Sequence, residues 1–132
     1  KVIRLTSDNP LISYSIINDV IKLSHGKKDL VTTRKINIDG SITRFVPKGL
    51  SVDLINSESL TSLNQDKLNK FEKEHVIPVF FNGKYDIEII KSNFGYKNNL
   101  SIDTLDDFNK VVDFTKDLIM KNNLNGYLGF EK

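Results

Sequence analysis

Two aspartates occupy positions where α/β proteins often place their chemistry. Asp8 follows the apolar run Val2–Leu5, Asp103 follows Leu100–Ile102, and each precedes a predicted helix. Ligands of α/β sheets bind beyond the carboxyl ends of strands, where helix N-termini supply positive potential. Two carboxylates from separate strands would suit a hard cation such as Mg²⁺, held together with nucleotide phosphates. A turn or helix-cap role also explains both residues, and their types and spacing leave the two interpretations open.

Three further segments carry side chains capable of chemistry. In Glu74-His75, a histidine beside carboxylates can act as a pH switch, a general base or an anion contact, or as a structural hydrogen-bonding group. In Lys48-Gly49, the glycine permits a close backbone approach and the lysine could meet a phosphate or a sugar carboxylate, although a plain turn fits equally well. Arg4, inside a strand-like run, predicts a polar cleft or an acidic partner.

Composition excludes several classes of function. The chain has 132 residues, enough for one domain or part of one, and a formal net charge of +2, which gives no reason to expect a nucleic-acid partner. The absence of cysteine excludes disulfides, thiolate nucleophiles and Cys-ligated zinc, and favours a reducing compartment, the cytoplasm. No apolar run approaches the roughly 18–20 residues that span a bilayer, so no membrane contact is expected.

The elements that must position these residues alternate between strands and helices. Pro10 predicts a helix start and Gly26 its end. Asp39-Gly40 predicts a hairpin, and Thr104 with Asp107 predicts a capping box over a helix of about four turns. Strands are predicted at Val2–Leu5, Leu30–Thr33, Ile36–Ile38, Ile42–Val46, Gly49–Ile55, Tyr85–Ile90 and Leu100–Ile102, helical pieces at 57–63 and 66–75, a buried turn or edge segment at 76–81, and a loosely held tail at 122–132. The mixture predicts an α/β or α+β class.

Four segments in this order resemble one family. They are Arg4-Leu5-Thr6-Ser7-Asp8-Asn9-Pro10-Leu11-Ile12, Pro47-Lys48-Gly49-Leu50-Ser51-Val52-Asp53, Glu74-His75-Val76, and Leu100-Ser101-Ile102-Asp103-Thr104 with Asp107-Phe108. Together they resemble the cytidylyltransferase-like spore coat polysaccharide biosynthesis family, related to the CMP-Kdo and CMP-acylneuraminate synthetases. The resemblance implies an α/β fold of the nucleotide-diphosphosugar transferase (GT-A-like) type, a mixed, mostly parallel sheet flanked by helices.

The resemblance also implies an activity and a set of site residues. The activity is transfer of CMP from CTP to a sugar for surface or spore coat polysaccharide, with pyrophosphate leaving. Asp8, after the family's central strand, and Asp103 would be the ligands of Mg²⁺, which bridges phosphate oxygens and offsets charge at the α-phosphorus. Glu74 and His75 match the family's Glu-His-Val block and would serve catalysis, around the sugar pocket or as its support. The expected substrate-binding residues are Arg4, Lys48, Gly49 and Asp53.

The sequence lacks the family's nucleotide-binding loop, a Gly/Ser/Arg-rich turn with an Arg-Leu-Pro-x-Lys signature. Lys1 opens the chain without Met and inside a strand-like run, which predicts a cut within a larger protein. We therefore expect residues 1–121 to form the C-terminal half of a cytidylyltransferase-like domain, inactive alone, that oligomerises through the exposed edge at Val2–Leu5 or rearranges. The alternatives are a non-catalytic sugar-nucleotide or carbohydrate-binding module, or an interaction domain.

Overall fold

The computed structural model describes residues 1–91 and 98–121, and its elements alternate as an α/β protein requires. The strands are β1 (Val2–Arg4), β2 (Leu30–Thr32), β3 (Arg34–Ile36), β4 (Ile42–Arg44), β5 (Asp53–Ile55) and β6 (Ile87–Ile89). The helices are α1 (Tyr14–Leu23), α2 (Ser57–Thr61), α3 (Lys70–His75) and α4 (Leu105–Met120), with 3-10 helices at Gln65–Lys67 and Ile77–Phe81.

Four of these strands form a mixed sheet in the order β1-β5-β2-β6. The β1–β5 and β5–β2 pairs are antiparallel and the β2–β6 pair is parallel. Strands β1, β2 and β6 therefore run in one direction, and β5 runs against them between β1 and β2. The mixed α/β class is confirmed, but the described pairings are chiefly antiparallel where mostly parallel ones were expected, because β5 separates two strands of the same direction.

Both faces of the sheet are covered. Neighbouring residues of a strand point to opposite faces, so Val31 packs with the α1 and α4 side while Leu30 packs with the 3-10 helix Ile77–Phe81. The first core contains Ile16, Val20, Val31, Val46, Leu50, Val52, Leu54, Ile90, Leu100 and Leu118, and the second contains Leu30, Ile55, Ile77, Val79 and Phe80. The apolar repeat of α1 thus fixes the helix on the sheet, as its spacing predicts.

A separate hairpin, β3–β4, extends from the sheet as predicted from Asp39-Gly40. Its loop is closed by the Asn37 amide, which donates to the Ser41 carbonyl at 2.9 Å, and Gly40 has a φ of +80°. A three-residue loop with glycine in the left-handed region is a common hairpin closure. The Phe45 amide donates to the Thr33 carbonyl at 3.0 Å, which ties the base of the hairpin to the sheet.

Several predicted boundaries were wrong. Helix α1 begins at Tyr14 with Ser13 as N-cap, rather than near Pro10, because residues 7–11 form turns. The predicted strand at 100–102 is extended but makes no ladder: the Leu100 amide donates to the Lys48 carbonyl at 2.7 Å and the Ile102 amide donates to the Asp8 carbonyl at 2.8 Å. These two hydrogen bonds go to two different loops, so the segment has no single partner strand with which to form a ladder. Of 49–55, only Asp53–Ile55 is a strand.

Helix α4 agrees with its prediction. The Thr104 hydroxyl accepts from the Asp107 amide, and the Asp107 carboxylate accepts in return from the Thr104 amide, which completes the capping box. The helix has 16 residues, about four turns. The tail predicted at 122–132 lies outside the described residues. In the two described ranges, no helix combines the length and the apolarity needed to cross a membrane.

Candidate functional site

A cavity of about 390 Å³ opens where most of the predicted site residues meet. Its walls come from β1 and the loop after it, from both strands of the β3–β4 hairpin, from residues 48–51, and from α3 with the residues that follow it. Arg4, Asp8, Lys48, Gly49 and His75 line it, whereas Glu74 does not. The fold thus gathers side chains from four distant parts of the chain around one space.

Of the two candidate metal ligands, Asp8 lines this cavity, whereas Asp103 does not line it and lies beside Ser101, which does. The Ser101 hydroxyl lies 3.2 Å from Asp8 Oδ2 and 3.4 Å from Asp103 Oδ2, and Ser101 is 1% exposed. The two carboxylates therefore border the same hydroxyl group. The segment Leu100–Ile102 causes this juxtaposition, because its backbone bonds carry Ser101 between the Asp8 loop and Lys48.

The surroundings of Asp8 favour its charged form. The Thr6 hydroxyl accepts from the Asn9 side-chain amide at 2.7 Å and hydrogen-bonds the Asp8 carboxylate. That hydrogen bond, with smaller help from Ser101 and the nearby Lys48 ammonium, holds the pKa of Asp8 below its usual value, although partial burial opposes the shift. Asp8 is therefore ionised at neutral pH and available to a cation.

Lys48 contacts Asp103, and Gly49 packs against the segment that carries Ser101. The Lys48 ammonium lies 2.5 Å from Asp103 Oδ2. Gly49 has a φ of +97°, and a Cβ there would lie 2.3 Å from the Leu100 carbonyl carbon. The close approach that Gly49 permits is thus to the Leu100–Ser101 backbone. The glycine both borders the cavity and fixes the segment that carries Ser101.

Asp53, predicted to bind substrate, is a buried carboxylate, 1% exposed, behind the cavity wall. It accepts from the Thr32 hydroxyl at 2.6 Å, pairs with the Arg34 guanidinium, and lies 3.7 Å from the Arg4 guanidinium. The strand register explains the cluster, since Arg4 and Thr32 are both register partners of Asp53. Both arginines line the cavity, so Asp53 acts as their shared counter-ion and fixes their orientation.

Two cavity arginines, Arg34 and Arg44, were missed as site residues. They face each other across the hairpin register, and each Nε is buried without a hydrogen-bond partner in the described part of the chain. Burial, and secondarily the neighbouring Arg34 charge, lowers the pKa of Arg44. Like charges directly opposite on paired strands are unfavourable. The pairing depends on the three-residue loop 38–40, because a two-residue turn at Asp39-Gly40 would place Arg34 opposite Phe45.

The Glu-His-Val segment closes the far wall of the cavity. His75 ends α3 with its ring edge-on to Phe71, 4.5 Å between ring centroids, and both line the cavity. Glu74 is exposed on the same helix. Val76 has a φ of +53° and a ψ of −51°, an unfavourable conformation for a β-branched residue. The sharp turn there separates the exposed ring of His75 from the buried Ile77.

The residues present fit Mg²⁺ rather than a metal held wholly by protein. Within the described ranges, no three His, Cys, Asp or Glu side chains gather as a metal site. Asp8 and Asp103 offer two oxygen ligands, and Mg²⁺ commonly binds through one or two carboxylates with waters and substrate phosphates. A hard cation held by these two carboxylates would lie beside the arginine-lined cavity.

Comparison with known proteins places this geometry in a known fold. No protein-family model and no curated protein matches the chain. Among solved structures, it is similar to a cytidylyltransferase from Leptospira borgpetersenii serovar Hardjo-bovis, with a TM-score of 0.68 and 20% sequence identity. The match covers 92% of this chain and 57% of that one. The likeness establishes the fold, and the chain spans a little over half the length of the structure it matches.

Proposed function

We propose that this chain is the C-terminal half of a sugar cytidylyltransferase. In the proposed reaction, a sugar hydroxyl loses its proton to water and its oxygen bonds to the α-phosphorus of CTP, while the bond from that phosphorus to the β-phosphate oxygen breaks and pyrophosphate leaves. The observation that carries the proposal is the meeting of Asp8 and Asp103 at the Ser101 hydroxyl, beside an arginine-lined cavity. A Mg²⁺ ion held there would offset the negative charge of the phosphates. The likeness of fold to a cytidylyltransferase supports the same reaction class.

The cavity is the proposed acceptor pocket, and its charge favours an anionic sugar. Arg4 and Arg34 share the single carboxylate of Asp53, and Arg44 has no ion-pair partner in the described residues. Guanidinium groups bind carboxylates and phosphates in a fixed planar geometry. Ile36 and Ile42, with the Phe71 ring, would cover the apolar face of the sugar. An acceptor with a carboxylate or phosphate, built into surface or spore coat polysaccharide, fits this pocket.

This chain contains only part of the proposed nucleotide-binding site. The sequence carries no nucleotide-binding loop of the family's type, and the chain spans 57% of the structure it matches. We therefore assign the triphosphate loop to a preceding half and expect this chain alone to be inactive. Of the Glu-His pair, we assign His75 to the acceptor cavity and Glu74 to its outer support.

The test is calorimetric titration of CTP with Mg²⁺ into this chain and into a version extended upstream. We expect binding by the extended protein, and expect Asp8→Asn and Asp103→Asn each to weaken it at least about tenfold, since each removes a charged ligand. Asp117→Asn, at an exposed position of α4 where the carboxylate pairs with Lys121, is the matched control and should bind normally. An extended protein that binds no nucleotide, or binds it equally well without both acids, would contradict the proposal.

A carbohydrate-binding module is the second candidate, and one observation favours it. Phe71 is 54% exposed and packs against His75 at the cavity, where an aromatic face could cover a sugar ring. This reading predicts sugar binding that survives loss of Asp8 and Asp103. The same calorimetry separates the two functions: a binding module should bind an acidic monosaccharide but no CTP with Mg²⁺ in either version of the chain, whereas the transferase should bind CTP once it is extended upstream.

A further inference from the structure

We propose that Lys48 is a tethered counter-cation, which neutralises the carboxylate pair before the metal arrives and moves to the substrate phosphates afterwards. The inference rests on the proposed function, because it assumes the Asp8–Asp103 metal site. Its basis is the Lys48–Asp103 ion pair at 2.5 Å, one hydroxyl away from Asp8. The monovalent ammonium group of Lys48 then occupies part of the space that a divalent cation would enter.

The backbone holds Lys48 in this place. The Leu100 amide donates to the Lys48 carbonyl, and Gly49 packs directly on the Leu100–Ser101 backbone. The backbone of Lys48 is therefore fixed near Asp103, so the side chain can return its ammonium to that carboxylate. A lysine in free solution has no such restriction, so this one competes with a metal at high effective concentration.

The ion pair is also easily exchanged. The Lys48 and Asp103 side chains are 45% and 50% exposed, and ion pairs of that exposure contribute little to stability. Lys48 lines the same cavity as Arg44, so an ammonium displaced from Asp103 faces the space proposed for anions. Metal entry and phosphate entry would thus favour each other, because the lysine loses one anionic partner and gains another.

Manganese binding tests the first half of this exchange. Mn²⁺ alone, titrated by calorimetry or electron paramagnetic resonance, should bind Lys48→Met about fivefold or more tightly than the wild-type chain, since the competing charge is gone. Lys22→Met, which removes an exposed charge on α1, is the matched control and should bind like wild type. Equal or weaker binding by Lys48→Met would overturn the proposal and leave the metal site intact. No Mn²⁺ binding by any variant would instead contradict the metal site of the proposed function.

Inorganic pyrophosphate without metal tests the second half. Asp103→Asn releases Lys48 and should bind pyrophosphate more tightly than Asp8→Asn, which removes the same charge but leaves the ion pair in place. Adding Lys48→Met to Asp103→Asn should abolish that gain. Equal pyrophosphate affinity in the two single variants, or a gain that survives in the double variant, would overturn the exchange whatever the metal does. Thermal unfolding of each variant confirms that it is folded.

Discussion

At the scale of single residues, Gly49 is a position where substitution should be costly. Gly49→Ala must place a side chain at a φ of +97° and 2.3 Å from the Leu100 backbone. The conformation costs about 1–2 kcal/mol and the overlap about 1–3 kcal/mol more. We expect the free energy of unfolding, measured with urea, to fall by about 3 kcal/mol.

The matched control is Gly40→Ala, where φ is +80° and no atom lies within 4 Å of the added Cβ. It should lose only the conformational part, about 1–2 kcal/mol. The difference between the two variants measures how tightly the loop at Gly49 holds the Ser101 segment. Equal losses would mean that this backbone contact relaxes freely.

Residue identity alone pointed to part of the site. Asp8 and Asp103 were selected because each ended an apolar run before a helix, and the fold brings both to Ser101. Asp53 resembled a polar position of an alternating strand, and its burial depends on arginines from β1 and β3. Such partners meet only through strand register between distant segments, which no local pattern encodes.

At the scale of elements, α4 owes part of its stability to the cap at Asp107. Hydrogen bonds from the Thr104 hydroxyl and from the backbone amides of Asp103 and Thr104 lower the pKa of Asp107, although desolvation opposes them. A folded-state pKa below the unfolded value of about 3.9 means stabilisation above that pH, lost as pH falls through the folded pKa. Asp107→Asn should therefore unfold at a lower temperature than wild type at pH 7, and the difference should disappear once the pH falls below the folded-state pKa of Asp107.

Thermal unfolding followed by circular dichroism between pH 7 and pH 2.5 measures this difference. Asp113→Asn removes a charge from the same helix without touching its cap, and is the control. If the Asp107→Asn deficit stays constant at every pH, the cap would stabilise α4 through geometry and not through the charge of the carboxylate.

The sequence predicted best those elements whose determining residues lie close together in the chain. The hairpin follows from Asp39-Gly40, although its first strand is Arg34–Ile36 and not the predicted Ile36–Ile38. Helix α4 follows from its capping box and apolar stripe, as expected. The segment Leu100–Ile102 has a strand's composition, yet its hydrogen bonds go to Lys48 and Asp8 on two separate loops. The composition of a segment predicts that it is extended and buried. Whether it becomes a strand depends on which other segment the tertiary structure places beside it.

At the scale of the whole molecule, β1 leaves one side of the sheet unpaired in the described residues. Its neighbour there is β5 alone, and the exposed fractions of Val2, Ile3 and Leu5 are 41%, 38% and 45%. Free strand edges with apolar side chains pair readily with other chains, and natural proteins block them with charge. The expectation of self-association through this edge therefore has a specific structural basis.

The decisive substitution is Ile3→Lys, which places a charge in the middle of the free edge. We expect analytical ultracentrifugation to show concentration-dependent association of the wild-type chain and a monomer for Ile3→Lys, because a buried lysine at a strand–strand contact opposes pairing. Ile119→Lys adds the same charge at a 57% exposed position of α4 and should associate like wild type. Association lost in Ile119→Lys but kept in Ile3→Lys would assign the contact to α4.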